Sequence, residues 1–258
     1  MLNESNNNII YLSEPESVSM DDDWFENTDR YNFWMRWKFE VLKSHLTKHF
    51  EGKPEILEIG CGNGINLQML ASDMGIIADG CDLNKTALDQ IESVKGKKYL
   101  YNILKPHPQL TGKYDFVLLL DVLEHIKDDL EFLKASVSHL KKGGRVMINV
   151  PAHKFLYSKY DKQIGHKRRY SRKELIALIE KAGLHPELVQ YWGFFLVPLL
   201  VIRKIVMFFK KDKIVSTGFR PPNAFINNAF VFLMKMERKL FPIPFLGTSL
   251  FLTARKPL

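Results

Sequence analysis

Residues 56–64 read Ile-Leu-Glu-Ile-Gly-Cys-Gly-Asn-Gly, "ILEIGCGNG", and this stretch decides the fold. Apolar residues run into a glutamate, and then glycine stands at every second position. The apolar run reads as a short buried strand, and the glycines as the turn that leaves it. Without a Cβ the backbone can turn sharply and approach a ligand closely. The spacing is G-x-G-x-G. A dinucleotide site needs G-x-G-x-x-G and a P-loop needs G-x-x-x-x-G-K-[ST], so the stretch argues against a dehydrogenase and against nucleoside triphosphates.

Outward from this turn, strand and helix patterns alternate. Residues 63–73 read as a helix, "GIIADGCDL" as a strand, and Lys85 to Val94 as a second helix. "KKYLYNI" is a short strand, and "YDFVLLLDVL" has the unbroken apolar run of a strand buried on both faces. Residues 127–141 read as a helix closed by Gly143 and Gly144, followed by the strand "RVMINVP". "SRKELIALIEKAG" opens on a capping box, Ser171 and Glu174, and "HPELVQYW" and "GTSLFLTARK" read as the last two strands. This alternation predicts an α/β doubly wound sheet of parallel strands, whose ligand sits at the carboxyl ends of the strands. Residues 1–20 read as a loose polar arm, and residues 21–258 as a single domain. Phe33, Trp34, Trp37, Val41 and Leu42 recur at helical spacing, so residues 21–50 read as a helical cap.

Asp82 closes the second strand, where a carboxylate can accept both ribose hydroxyls. The series "ILEIGCGNG", "CDLN", "YDFVLLLDVLEHIKD" and "LKKGGRVMINVP" resembles the motif series of class I S-adenosylmethionine-dependent methyltransferases over residues 55–190. The resemblance implies a Rossmann-like, seven-stranded sheet with the last strand antiparallel. It implies S-adenosylmethionine as cofactor, S-adenosylhomocysteine as its product, and a cofactor site built from Glu58, Gly60, Cys61, Gly62, Gly64, Asp82, Leu83, Asn102, Asp121 and Val122. Glu58 and the glycine loop would meet the methionine part, Asp82 the ribose and Leu83 the adenine. Asn102 would cap the adenine amine, and Asp121 and Val122 would line the pocket near the methyl donor. The cofactor carries the activated methyl, so the protein has to align a nucleophile and, for a hydroxyl, take its proton.

Candidate bases are His125, His153, His166 and Tyr170. His125 belongs to "DVLEHIKDD", which resembles ubiquinone-pathway O-methyltransferases, some of which are thought to bind a divalent metal at this turn. Asp121, Glu124 and His125 form a plausible ligand set, although the same pattern also serves only to shape a loop, and no metal is favoured. The remaining candidates lie in "VPAHKFLYSKYDKQIGHKRRYSRKEL", which resembles a segment of bacterial methyltransferases from surface-polysaccharide and lipid-linked pathways. There Arg168 and Arg169 suit the phosphate or carboxylate of an anionic substrate, or else pair surface acids. Arg36 reads as a surface arginine over the aromatic stripe, with the cofactor carboxylate as a second possibility.

The net charge of +8 is unevenly spread. Residues 1–150 carry 17 Lys/Arg against 23 Asp/Glu, and residues 151–258 carry 20 against 6. The basic part holds an insertion, residues 194–245, that opens with "FFLVPLLVIRKIVMFFKK". The uncharged run that leads into it, Leu188 to Ile202, has 15 residues against the roughly 20 a spanning helix needs. An apolar face edged by Arg203, Lys204, Lys210 and Lys211 reads as an interfacial helix on an anionic membrane, with a helical lid or a homodimer interface as alternatives. Two cysteines and no signal peptide suggest a cytoplasmic protein, peripheral at the inner membrane face. The leading reading is an O-directed methyltransferase acting on an amphiphilic or anionic small molecule or a lipid-linked sugar or isoprenoid. Alternatives are a nucleic-acid methyltransferase, for which no base-flipping motif or RNA-binding module is visible, and a cofactor-binding scaffold without catalysis.

Overall fold

Along Tyr114–Leu120 (β5), side chains alternate between two faces of one sheet. Val117 and Leu119 enter one apolar cluster, and Phe116, Leu118 and Leu120 enter the other. Every one of these five is at most 5% exposed, which is why the strand reads as an unbroken apolar run and not as alternation. The computed structural model describes residues 9–16, 30–50, 52–92, 94–209, 223–240 and 245–258.

The strands are Ile9–Tyr11 (β1), Ile56–Ile59 (β2), Asp79–Asp82 (β3), Lys98–Leu100 (β4), β5, Leu140–Pro151 (β6), His185–Trp192 (β7) and Ser249–Arg255 (β8). They form one sheet in the order β1-β4-β3-β2-β5-β6-β8-β7. All neighbours pair parallel except β8, which runs antiparallel to both β6 and β7. The last strand is antiparallel as expected, but the sheet has eight strands and not seven. The extra strand corrects the reading of residues 1–20 as a loose arm: Ile9, Ile10 and Tyr11 pair with Lys98, Tyr99 and Leu100 at the sheet edge. Polar composition hid it, because an edge strand needs only backbone partners and one apolar side. The rest of that arm, residues 1–8 and 17–20, and residues 21–29 of the expected cap, lie outside the described residues.

One face of the sheet is covered by Phe33–Leu46 (α1) and Ile65–Met74 (α2), and the other by Asp129–Ser138 (α4) and Arg172–Lys181 (α6). The helix read as 85–94 is shorter, Lys85–Asp89 (α3), and the buried Ile91 beyond it lies beside Gly64. Likewise α4 ends at Ser138, before the glycines expected to close it. Lys141–Gly144 instead bulge out of β6, between the pairs Tyr114–Leu140 and Phe116–Arg145. Gly143 stands there at φ 74°, a conformation that costs a Cβ-bearing residue energy. The capping box of α6 forms as read, Ser171 Oγ and Glu174 each bonding the other's backbone N–H.

The insertion contributes two helices, Val197–Phe209 (α7) and Ala224–Leu240 (α8), and residues 210–222 and 241–244, with Lys210 and Lys211, lie outside the described residues. α8 packs on α1, with Phe230 stacked on Phe33 at 4.6 Å and Asn227 Oδ1 accepting the Phe33 N–H at 2.8 Å. The short helix Lys159–Gln163 (α5) supports α7.

Candidate active site

β2 hands the chain to α2 through the glycine loop at the carboxyl edge of the sheet. Gly60, Gly62 and Gly64 all have positive φ, 73°, 53° and 74°. A Cβ on Gly60 would lie 2.7 Å from Val122 Cγ2, so glycine lets the loop lie against the end of β5. Asp82, at the end of β3, fixes the loop from beside it. Its Oδ2 accepts the Gly62 N–H at 2.8 Å and its Oδ1 the Asn84 N–H at 2.9 Å. Burial pushes the Asp82 carboxyl upward, and the N–H groups of Asn84, Gly62 and Leu83 hold that rise back. Cys61 has its sulfur in the core, near Gly80, and burial pushes its thiol up, so it is a packing group and not a nucleophile.

Glu58 precedes the loop and is 1% exposed. Asn66 Nδ2 donates to its Oε1 at 2.6 Å, while Oε2 is buried without a hydrogen-bond partner. Burial pushes its carboxyl up to about 7, against the Asn66 hydrogen bond and the charge of Lys38.

After β5 the chain reverses at Asp121, which stands at φ 61°. Such a conformation persists only where the surroundings hold it. Here Lys38 Nζ, from α1, donates to Asp121 Oδ2 at 2.9 Å, and Asn149 Nδ2 makes a short hydrogen bond to Oδ1. Trp192 Nε1 donates in turn to Asn149 Oδ1 at 2.8 Å, and its ring lies 4.6 Å from that of Trp34. Lys38, Asn149 and Trp192 were absent from the sequence reading of the site. Two of them left a signal: a lysine on the buried stripe of an aromatic helix, and an asparagine inside the apolar run "RVMINVP". Arg36, by contrast, is exposed.

Asp121 brings Glu124 and His125 to the same edge, where His166 meets them from the loop after β6. The His125 and His166 rings are edge-to-face at 4.8 Å. His166 Nδ1 stands 3.2 Å from Asp161 Oδ1, and its Nε2 lies 3.7 Å from Glu124 Oε1. Burial, then the neighbouring His166, pushes the His125 imidazole down to about 4, so it is neutral near pH 7. Glu124 is fully buried with neither oxygen hydrogen-bonded, and burial followed by the charge of Asp121 pushes its carboxyl well above the usual range. Asp161 goes the other way. Burial raises it, but the His166 hydrogen bond and the Arg169 guanidinium outweigh that and hold it well below the usual range. Ligand atoms of Glu124, His125 and His166 lie within 4.8 Å of one another. This differs from the expected set, because both oxygens of Asp121 are engaged by Lys38 and Asn149.

The other loop residues engage partners within the loop and on the elements beside it. Arg169 is 5% exposed and donates to Asp161 Oδ1 at 2.7 Å and to the Ala152 carbonyl at 3.2 Å. The buried Tyr170 hydroxyl donates to Asp129 Oδ2 at 2.8 Å, and burial pushes its phenol well above the ordinary range. Arg168 pairs with Asp129 at 2.6 Å and lines an open cavity of about 450 Å³ between α4 and α6. None of the glycine-loop residues lines that cavity. The His153 ring stacks on Tyr191 at 4.8 Å, apart from the His125–His166 pair.

Asn102 follows β4 and is 9% exposed. Its Oδ1 accepts the Leu104 N–H at 3.0 Å, and its Nδ2 donates to Glu16 Oε1 at 2.8 Å. The Leu83 carbonyl accepts the Glu16 N–H at 3.4 Å.

A family profile described as "Methyltransferase domain" matches residues 27–189, more than half of the chain. A ubiquinone biosynthesis O-methyltransferase of Vibrio parahaemolyticus serotype O3:K6 is 28% identical over 101 residues, which are 37% of this chain and 43% of that protein. A probable S-adenosylmethionine-dependent methyltransferase of Mycolicibacterium smegmatis is 25% identical over 159 residues, 60% of this chain and 61% of that one. The chain thus spans less than two thirds of the length of these curated relatives. Among solved structures, a SAM-dependent methyltransferase from Archaeoglobus fulgidus superposes with a TM-score of 0.54 at 19% identity, over 84% of this chain and 94% of that one. Haemonchus contortus phosphoethanolamine N-methyltransferase 2 in complex with S-adenosyl-L-methionine gives 0.55 at 17% identity, over 91% and 59%. At these identities the likeness is one of fold. Together with the glycine loop, Asp82 and the antiparallel last strand, the profile match establishes that the chain belongs to the methyltransferase-domain family of class I S-adenosylmethionine-dependent enzymes.

Proposed function

We propose that the protein transfers a methyl group to an oxygen of an amphiphilic or anionic acceptor, a small molecule or a lipid-linked sugar or isoprenoid, at an anionic membrane surface. The carrying observation is that the glycine loop, Asp82 and the His125–His166 pair share one edge of the sheet. The residues present fit the family's cofactor. The loop is a cradle that a Cβ at Gly60 would fill, and Glu58 keeps one buried carboxylate oxygen without a partner. Acids at Glu58, Asp82 and Asp121 suit a ligand bearing a sulfonium, an amine and hydroxyls. Bound S-adenosylmethionine would supply a methyl group already activated for transfer. Glu58 and the loop Gly60, Cys61, Gly62 and Gly64 would hold its methionine part, Asp82 its ribose, Leu83 and Asn102 its base, and Asp121 and Val122 the wall near the methyl.

For a hydroxyl acceptor the neutral His125 is the proton acceptor, with His166 oriented behind it by Asp161. The relatives named for ubiquinone O-methylation support transfer to oxygen. No metal is assigned a role.

α7 supports the membrane reading. The support comes from its apolar face and not from its two cations, which were expected at the edge of that face and instead turn toward the domain: Arg203 lies 4.0 Å over the Tyr160 ring and Lys204 Nζ donates to the Phe155 carbonyl at 2.5 Å. Leu199, Val201, Ile202, Ile205, Val206, Phe208 and Phe209 face outward, each at least 36% exposed. An apolar patch of this kind needs a cover, and the basic C-terminal part favours anionic lipid. Among the described residues no helix is long and apolar enough to cross a membrane. The test is calorimetric titration with S-adenosylmethionine and S-adenosylhomocysteine, with and without phosphatidylglycerol-containing vesicles. Micromolar binding and vesicle association are expected. Absence of cofactor binding would remove the enzymatic reading, and absence of vesicle association the membrane one.

A further inference from the structure

The N-terminal segment crosses the carboxyl edge of the sheet where the site continues beyond Asp82. Strand β1 pairs with β4, and the Leu12 and Ser13 N–H groups both donate to the Leu100 carbonyl, at 2.9 and 3.1 Å. Ser13 Oγ then accepts the Asn102 N–H at 2.9 Å. Glu16 spans the remaining gap, from the Leu83 carbonyl after β3 to the Asn102 amide after β4.

The strand order sets what lies there. A ligand whose charged end meets the loop after β2, and whose ribose meets Asp82 after β3, can extend its base only toward the next strand, β4. The base therefore reaches Asn102 and Glu16. Polarity then distinguishes the two. The Asn102 amide is oriented by the Leu104 N–H on its oxygen, so its nitrogen faces Glu16. That oxygen already accepts one hydrogen bond. Glu16 is exposed, accepts from Asn102 with one oxygen only, and makes no ion pair among the described residues. Its carboxylate is the open acceptor at this end of the site.

We propose that Glu16 binds the exocyclic amine of the cofactor's adenine and makes the N-terminal segment part of the site. The proposal rests on the cofactor site assigned above. The two oxygens of Glu16 would then bridge Asn102 Nδ2 and the adenine amine, and the strap would select an amino-purine over an oxo-purine.

The test compares S-adenosylhomocysteine with S-inosylhomocysteine, in which a carbonyl replaces the amine, on the full chain by calorimetry. Glu16→Ala should weaken S-adenosylhomocysteine about tenfold, the weight of one charge-assisted hydrogen bond. The same variant should leave S-inosylhomocysteine unchanged or bind it better, since a carboxylate repels the carbonyl. Asn102→Asp in the Glu16→Ala background should recover S-adenosylhomocysteine affinity by returning a carboxylate to the same place. Equal weakening of both ligands would overturn the proposal and leave Glu16 as a cover only, and so would no weakening of either. Failure of the unmodified protein to bind S-adenosylhomocysteine would instead overturn the cofactor site. Glu16 is exposed, so the variant's thermal unfolding should match that of the parent.

Discussion

Lys38 Nζ stands 2.9 Å from Asp121 Oδ2, and this one contact ties the N-terminal helix to the strained turn after β5. Lys38 keeps 3% of its side-chain exposure, and its charge also acts on Glu58 and Glu124. Three carboxyl groups thus feel the charge of Lys38, and Glu124 feels that of the buried Arg169 as well. Lys38→Met removes the lysine charge and leaves Asp121 without its charge partner. Stability should fall by about 1–3 kcal/mol, less than for a fully buried half-broken pair, because Asp121 keeps 27% exposure and its Asn149 hydrogen bond. Adding Asp121→Asn should return part of the loss, which a double-mutant cycle by urea denaturation measures. A Lys38→Met protein as stable as the parent would show that the pair contributes nothing.

Asp82 holds the glycine loop through the Gly62 N–H, and the proposed cofactor site gives it a second task, receiving the ribose. Asp82→Ala should lower S-adenosylhomocysteine affinity at least 100-fold, the weight of two or more lost hydrogen bonds of about 1.5 kcal/mol each. The far-ultraviolet circular dichroism should be unchanged. Retained affinity in calorimetry would remove the ribose assignment.

Two buried groups set opposite pH slopes. Glu58 is raised to about 7 from an ordinary 4.5, so it favours the fold when protonated. Its contribution is full below pH 4.5 and is lost as pH rises through 7. Glu58→Gln should flatten that slope in thermal denaturation of the cofactor-free protein. His125 is lowered to about 4 from 6.5, so it favours the fold when neutral. Its contribution is present above 6.5 and is lost as pH falls through 4. Nuclear magnetic resonance should find the His125 ring neutral down to about pH 5. A His125 that titrates at its ordinary value would contradict the burial argument.

If His125 takes the acceptor's proton, His125→Ala should lower kcat about 100- to 10,000-fold with cofactor affinity unchanged. His153→Ala should change kcat far less, since His153 is stacked on Tyr191. Activity should survive dialysis against EDTA, because the proposed proton transfer to His125 needs no metal ion. Loss of activity restored by one divalent ion would reassign Glu124, His125 and His166 as its ligands.

Ile205 and Phe209 are 54% and 78% exposed on the outer face of α7. Replacing both by aspartate should abolish sedimentation with anionic vesicles while changing stability by no more than about 0.5 kcal/mol. Unchanged sedimentation would exclude α7 as the lipid contact. A dimer that the substitution splits, with no vesicle binding in either form, would make this face a subunit interface.

Much of the frame was legible because it depends on local pattern. The β2 turn shows in the glycine spacing, and β5 in its unbroken apolar run. The capping box of α6 shows in Ser171 and Glu174, three residues apart. Misreadings arose where a distant partner decided. Gly143 and Gly144 resemble a helix stop, yet the pairing of β6 with β5 turns them into a bulge. Ile9–Tyr11 lacks a strand's usual length, and only the free edge of β4 makes it one. Arg169 and Tyr170 have the chemistry of a site, and only the fold shows that Asp161 of the loop and Asp129 of α4 engage them.

The sequence alone determined the class of fold, from the alternation of strand and helix patterns, and the glycine loop, from its spacing, because both are patterns carried by neighbouring residues. Tertiary structure alone decided which charges share the buried site. Lys38 meets Asp121 across 83 positions, Glu16 meets Asn102 across 86, and Arg203 turns inward onto Tyr160. Hydrogen bonds and ion pairs act over a few ångströms of space, and distance along a chain carries no record of which residues folding will bring that close.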